Sequence, residues 1–497
     1  MRKLNLLTIA SIISIFSFAQ EREKIEIINA DFTYINNDLH PEYWRLIGNV
    51  NIFHNQTNMI CDSAYYYSKE EKIQAFNNIT IYNKEGLNIT GKTLNYDGEK
   101  GLAVISGNVI CKNNESILES QKTTFNIKDN YISYNSKSKI KDKEQEISSI
   151  KGKYYIDEKI YKFNDSVTLI SSSYSIETDN LRYDENKKIS SLLGPSNVYF
   201  KNKTVYCEKG YIYNNEDQAE FFNNTKILTK EYNITADSIF FNNNTKRVNA
   251  LNNVILTDSV NNLILEGNYA EYYENEEILT VSKQPLLKLI SDKDTLFMSS
   301  KKFINFSQDG KRYLSSYTDV KFLDNNIKGR CDSLVYEISD SLIFMYNKPI
   351  VWFDEYQVSS DSIKIYYYNK LINKIHLSSN PIIISKEDSS EFNQIKGHEM
   401  IGYFVDNKLD NLDVNGNGQS IYFLKDKEEI IGMNYIESSK ISLHFRANKI
   451  KDINYEIIPF SITTPINEVI DKDKYLKMFK WRIEEKPIDK KDLFTLE

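Results

Sequence analysis

The chain has 497 residues, 41% of them hydrophobic and 26% charged, a balance that excludes wholesale disorder. Tyr (35) and Phe (25) are abundant while Gly (17) and Pro (8) are scarce, which excludes collagen-like or flexible-linker material and favours strands. The net charge of −7, with Lys rather than Arg as the main cation, excludes a nucleic-acid binder.

Residues 1–20 read as a separate object. Arg2 and Lys3 form a positive start, Leu4 to Phe18 is apolar, and Ser17 and Ala19 place small residues where a signal peptidase reads. The run is short for a membrane span and is interrupted by Ser11, Ser14 and Ser17. The reading is a signal peptide cleaved near Ala19 or Gln20, so that the mature chain is exported.

From 21 to 455 the chain is one repeat copied many times, divisible into two sub-stacks. One recurrent fragment opens with Gly or Asn and continues with apolar residues two apart. Gly48-Asn49-Val50-Asn51-Ile52, Asn78-Ile79-Thr80-Ile81 and Gly107-Asn108-Val109 are early copies. Val198 and Phe200, Val254 and Leu256, Val320 and Phe322, and Ile350 and Trp352 mark later ones, with Ile382 and Ile384 beyond. A second fragment alternates with the first and often begins Asp-Ser. Its apolar pairs are Ala64 and Tyr66, Leu94 and Tyr96, Leu181 and Tyr183, Ile239 and Phe241, Leu334 and Tyr336, and Ile363 and Ile365. The period is about 30 residues.

Apolar residues two apart share one face of a strand. One such unit is too small to bury that face alone, but stacked units share a continuous inner face. Asn36-Asn37-Asp38, Asp97-Gly98, Asn242-Asn243-Asn244 and Asp309-Gly310 read as turns. The fold class is all-β, an elongated stack of thirty or more short strands. A β-helix is the competing architecture, but the Asn/Asp turns and low Gly favour antiparallel hairpins.

Cys61, Cys111, Cys207 and Cys331 are too widely spaced for a zinc ribbon or a redox pair and read as free structural thiols. The five histidines form no HExxH or HxH pair, and no nucleophile elbow or phosphate loop occurs. No catalytic residue, metal site or cofactor is expected. The repeated Asp of the Asp-Ser fragments reads as turn-forming rather than calcium-binding. From 456 to 497, Pro459 and Pro465 break the strand pattern, and Asn467 to Ile483 reads as a short amphipathic helix in a tail that caps or docks one end of the stack.

The stretches Gly48 to Ile81 and Gly91 to Val109 resemble the OstA-like/LptA family, and the resemblance recurs through roughly residues 25–445. The length, the export signal and the closing segment Met478 to Phe494 resemble the long OstA-like proteins of Bacteroidetes-type bacteria. That family comprises periplasmic lipopolysaccharide-transport bridge proteins with an open β-jelly roll, or β-taco. The resemblance implies a periplasmic chain that holds lipid A acyl chains and supports outer-membrane assembly. It implies partners of similar β-fold at both membranes, reached through open end strands, or a second copy of the chain. On this reading the lipid-binding inner face comprises Val50, Ile52, Tyr66, Ile79, Ile81, Leu94, Tyr96, Val109, Leu181, Tyr183, Val198, Phe200, Ile239, Phe241, Val254, Leu256, Val320, Phe322, Leu334, Tyr336, Ile350 and Trp352. The two faces are expected to stay apart and leave an apolar trough. An exported adhesive or structural repeat protein is the alternative, and a β-helix polysaccharide-active enzyme a weaker one.

Overall fold

A computed structural model describes residues 24–35, 42–113, 116–230, 232–291, 294–368, 371–427, 429–446 and 449–494. The export segment and the turn at 36–38 lie outside the described residues. The chain divides between Ser172 and Ser173 into two compact units.

In the first unit, strands of 11 or 12 residues follow one another from Trp44–His54 to Ile160–Ser171. Each pairs antiparallel with the next along the chain. The short strands Glu26–Asn29 and Phe32–Tyr34 pair with the two halves of Trp44–His54. The Gly/Asn motif that reads as the opening of a short strand instead lies in the middle of a long one. Gly48 and Asn49 have φ of 75° and 45°, and together they oppose a single residue, Asp62, in the partner strand. Two residues against one is a β-bulge, which bends the strand and sharpens its twist.

The device recurs on alternate strands. Asn77-Asn78, Gly107-Asn108 and Asp165-Ser166 have the same left-handed pair, as do Asn223-Asn224, Asn252-Asn253 and Gly416-Asn417 in the second unit. Asn tolerates this conformation better than most residues because its short amide can hydrogen-bond locally. Here that amide has a fixed partner. Asn78 Nδ2 donates to both carboxylate oxygens of Asp62 at 3.1 and 2.9 Å, and Asn253 does the same to Asp237 at 3.2 and 3.0 Å. Asn380 reaches Asp361 at 2.9 Å and Asn347 reaches Asp332 at 3.3 Å. The Asp of the Asp-Ser fragment is therefore a corner acceptor rather than a turn former. Asn253→Ala loses this bond and places a Cβ-bearing residue without local hydrogen bonding at φ 50°. It should cost about 2 kcal/mol in urea unfolding.

The corners fold each strand into two legs whose inner faces look at one another. Along one leg the register aligns Leu46, Ala64, Ala75, Leu94 and Ile105. Along the other it aligns Ile52, Met59, Ile81, Ile89 and Cys111. Contact between the legs is visible at their tips. His54 and Tyr96 sit at opposite strand ends, three strands apart, which in a flat sheet would separate them by roughly 35 Å. Their side chains are instead hydrogen-bonded at 2.5 Å.

The second unit repeats the plan with strands more often interrupted at the corner. Ile189–Leu192 and Ser196–Tyr199 are two halves of one such strand. Leu192, Phe221, Ile239, Ala250, Val281 and Phe303 belong to one of its inner rows. The strands end with the long pair Lys408–Asp426 and Glu429–Arg446, followed by Lys449–Glu456 and Phe460–Pro465. Strand structure thus continues ten residues beyond the expected boundary at 455, to Pro465.

The tail beyond it does not form the expected helix. Short 3-10 turns at Ile466–Glu468 and Asp471–Lys474 give way to extended backbone at Tyr475. Nor does the tail cap an end: it runs along the outer face of one leg. Leu476 packs on Ile421, Phe423 and Met433, while Phe479 and Trp481 pack on Ile382, Ile384 and Phe392. Two buried glutamines bind its backbone as a neighbouring strand would. Gln394 accepts from Leu476 N and donates to Lys474 O at 2.8 and 2.7 Å. Gln357 accepts from Arg482 N and donates to Lys480 O, both at 2.7 Å. This side-chain ladder requires an extended tail, which is why the helix does not form.

Candidate functional site

The inner faces form the apolar interior of each unit. Val50, Ile52, Tyr66, Ile79, Ile81, Leu94, Tyr96 and Val109 are buried there in the first unit. Leu181, Tyr183, Val198, Ile239, Phe241, Val254, Leu256, Val320, Phe322 and Leu334 are buried there in the second. Phe200 and Tyr336 are half-buried at the leg tips, with the Phe200 ring 6.2 Å from that of Phe241.

Ile350 and Trp352 are corrections. They stand opposite Arg330 and Lys328, and so lie on the outer face, along which the tail runs bound to Gln357, the residue opposite Trp352. Val351 and Phe353 point inward instead, opposite Gly329 and Ile327. The cause is Pro349, which takes the first place after the Asn347-Lys348 corner and starts the alternation one residue early. Ile382 and Ile384 follow the same rule after Pro381, standing opposite Ser359 and Gln357.

The interior is also closed where a trough was expected. Ile52, Ile81 and Ile89 are 0% exposed. Apolar faces that can approach gain by excluding the water between them, about 25 cal/mol for each Å² covered. In each unit the legs meet along a polar seam. In the first unit, Asn113 Nδ2 donates to Tyr154 Oη at 3.0 Å, and Ile25 N donates to Glu71 at 3.0 Å. In the second, Tyr174 Oη donates to Asn214 at 2.8 Å, Lys203 pairs with Glu274 at 2.7 Å, and Arg312 pairs with Asp258 at 2.9 Å.

Sequence reasoning missed these seam residues because the partners lie 40 or more positions apart. A faint signal was present: a polar residue that continues the inner alternation. Ile52 leads to His54, Cys111 to Asn113 and Leu256 to Asp258.

The four cysteines are free and buried, as their spacing suggested. Burial pushes the Cys61, Cys111 and Cys207 thiols up from 9.0 to about 12. The thiolate is the reactive form, and a thiol raised that far holds roughly a thousandfold less of it at a given pH. Iodoacetamide at pH 8 should therefore leave the folded protein unmodified over a time in which urea-unfolded protein gains four adducts by mass.

Residues 22–179 match the family described as OstA-like protein, so the resemblance carried by the repeats holds over that segment. No curated protein matches the chain significantly. Among solved structures, the chain is similar to LptH from Pseudomonas aeruginosa, the LptA homologous periplasmic component of its lipopolysaccharide transport device. Identity is 12%, the match covers 30% of this chain and 82% of that one, and the TM-score is 0.15. The fold described for this chain stands on its strand pairing alone.

Proposed function

From the OstA-like character of residues 22–179 and the continuous apolar interior, we propose that this chain is a periplasmic lipopolysaccharide-transport protein. On this reading it holds the acyl chains of lipid A between its facing legs and bridges the inner and outer membranes. The observation that carries the reading is the pair of aligned inner rows. Leu46 to Ile105 and Ile52 to Cys111 present unbroken apolar surface from strand to strand. Each acyl methylene moved from water into such an environment contributes about 0.8 kcal/mol. Because the rows repeat, a chain can shift from rung to rung with little change in energy. The polar seam lies at the water boundary, where a sugar headgroup stays solvated.

No disulfide holds the legs shut among the described residues, since all four cysteines are free. Parting the legs breaks seam hydrogen bonds worth about 1 kcal/mol each, and acyl burial offsets that cost. At the C-terminal end, Lys449–Glu456 and Phe460–Pro465 both pair with the long strand Glu429–Arg446. Ile457 and Ile458 between them are 79% and 49% exposed. Such an edge can accept a strand from a partner of similar fold or from a second copy.

The packed interior also suits an exported structural or adhesive repeat protein. Mass spectrometry of lipid extracted from protein purified from its native periplasm separates the two. The transport reading predicts lipid A-containing species near stoichiometric amounts. No co-purified lipid, together with no binding of added lipopolysaccharide, favours the structural protein.

A further inference from the structure

We propose that the seam of the first unit opens at one place, the Asn113–Tyr154 pair, and that an alkyl chain of an amphiphile enters the interior there. The proposal deepens the lipid reading above and rests on it. Its basis is a packing deficit found at this point of the interior. A void of about the size of a water molecule lies among Cys111, Leu118, Ile132, Tyr134, Ile140 and Phe163, and Asn113 and Tyr154 also border it. Leu118 is 7% exposed and Ile140 8%, whereas Ile52, Ile81 and Ile89, on the same leg, are 0% exposed.

The sequence of these rungs also departs from that of the first ones. At the corner, where the first rungs have Val50, Cys61 and Val109, these rungs have Ser120, Ser138 and Ser149. These serines lie beyond the void's lining and turn to one another and to Tyr134, which does line it. Ser138 Oγ donates to Ser120 Oγ at 2.8 Å, and Tyr134 Oη and Ser149 Oγ are hydrogen-bonded at 2.7 Å. The opposite wall is flat and aromatic. Tyr154 stacks on Tyr161 at 4.0 Å and 15°, and Tyr161 on Phe163 at 5.8 Å and 6°. Such a wall offers an alkyl chain a smooth apolar surface.

Atoms lining a void have already forfeited part of their dispersion contacts, so the legs part here with the least further loss. Regions of low contact density are where native proteins open first. Elsewhere in this unit, as at His54–Tyr96, the seam covers a filled interior, and opening must break packing as well as hydrogen bonds.

The test is stopped-flow uptake of cis-parinaric acid, a fluorescent alkyl carboxylate, by the full-length mature protein. Tyr154→Phe removes the hydroxyl and keeps the ring, so folding is preserved; uptake should quicken roughly fivefold, the effect of one lost hydrogen bond. Tyr96→Phe, the same change over filled interior, should leave the rate within twofold. Leu118→Phe, which fills the void, should slow uptake severalfold. Equal acceleration by Tyr154→Phe and Tyr96→Phe overturns the proposal. So does wild-type uptake in all three variants by a protein that still retains lipopolysaccharide, and there the transport reading survives. If the wild-type protein takes up neither cis-parinaric acid nor lipopolysaccharide, the transport reading fails and the portal with it.

Discussion

Ending the chain at Pro465 is expected to destabilise the second unit by roughly 4–8 kcal/mol and to make the protein self-associate. Leu476, Phe479 and Trp481 would be lost from the outer face, each worth about 1.5–3 kcal/mol of burial. Ile382, Ile384, Phe392, Ile421 and Phe423 would be uncovered in one stripe, which is larger than soluble monomers ordinarily expose. Gln357 and Gln394, each 0% exposed, would lose the backbone partners that satisfy them. Urea unfolding and light scattering read both effects. A truncated protein that stays monomeric with an unchanged midpoint would show that the tail is an ornament on a self-sufficient sheet.

Phe221→Ala is the second large effect, about 3–5 kcal/mol. Phe221 is 0% exposed, stands opposite Gly210 and Ile239, and meets the Phe241 ring edge-on at 5.7 Å. Its neighbour Phe222 faces the other way, opposite Lys209 and Ser238, and is only half-buried. Phe222→Ala should cost about 1 kcal/mol or less, because half of that surface already touches water. Equal losses from the two variants would mean that the faces are not distinguished as the register requires.

Much of this was legible in the sequence. The period of about 30 residues and the alternation within it place Val50, Ile79, Leu94 and Val254 on the inner face without any structure. What the sequence hid depends on partners distant along the chain. An Asn before a Val or Ile looks like the start of a strand. Only the opposing strand decides that Asn78 is half of a bulge, its amide satisfied by Asp62. The inward assignment of Ile350 and Trp352 failed because alternation gives two faces but not which is inner. Pro349 shifts the phase, and the tail buries the wrong face as thoroughly as the right one. The unalternating run Ile350 to Phe353 was itself a sign that something covers both sides. The seam pairs were hidden because each joins the tips of separate strands, and the only local mark of Asn113 is that it continues the inner alternation of Val109 and Cys111.

On the transport reading, lipid lies between the legs and not on their outer surface. A photo-crosslinking amino acid placed singly at position 221 or 222, then irradiated with bound lipopolysaccharide, tests it with the smallest change of position. Lipopolysaccharide adducts from position 221 and few or none from 222 are the predicted result. Adducts from 222 alone, or equal adducts from both, would contradict an interior binding site.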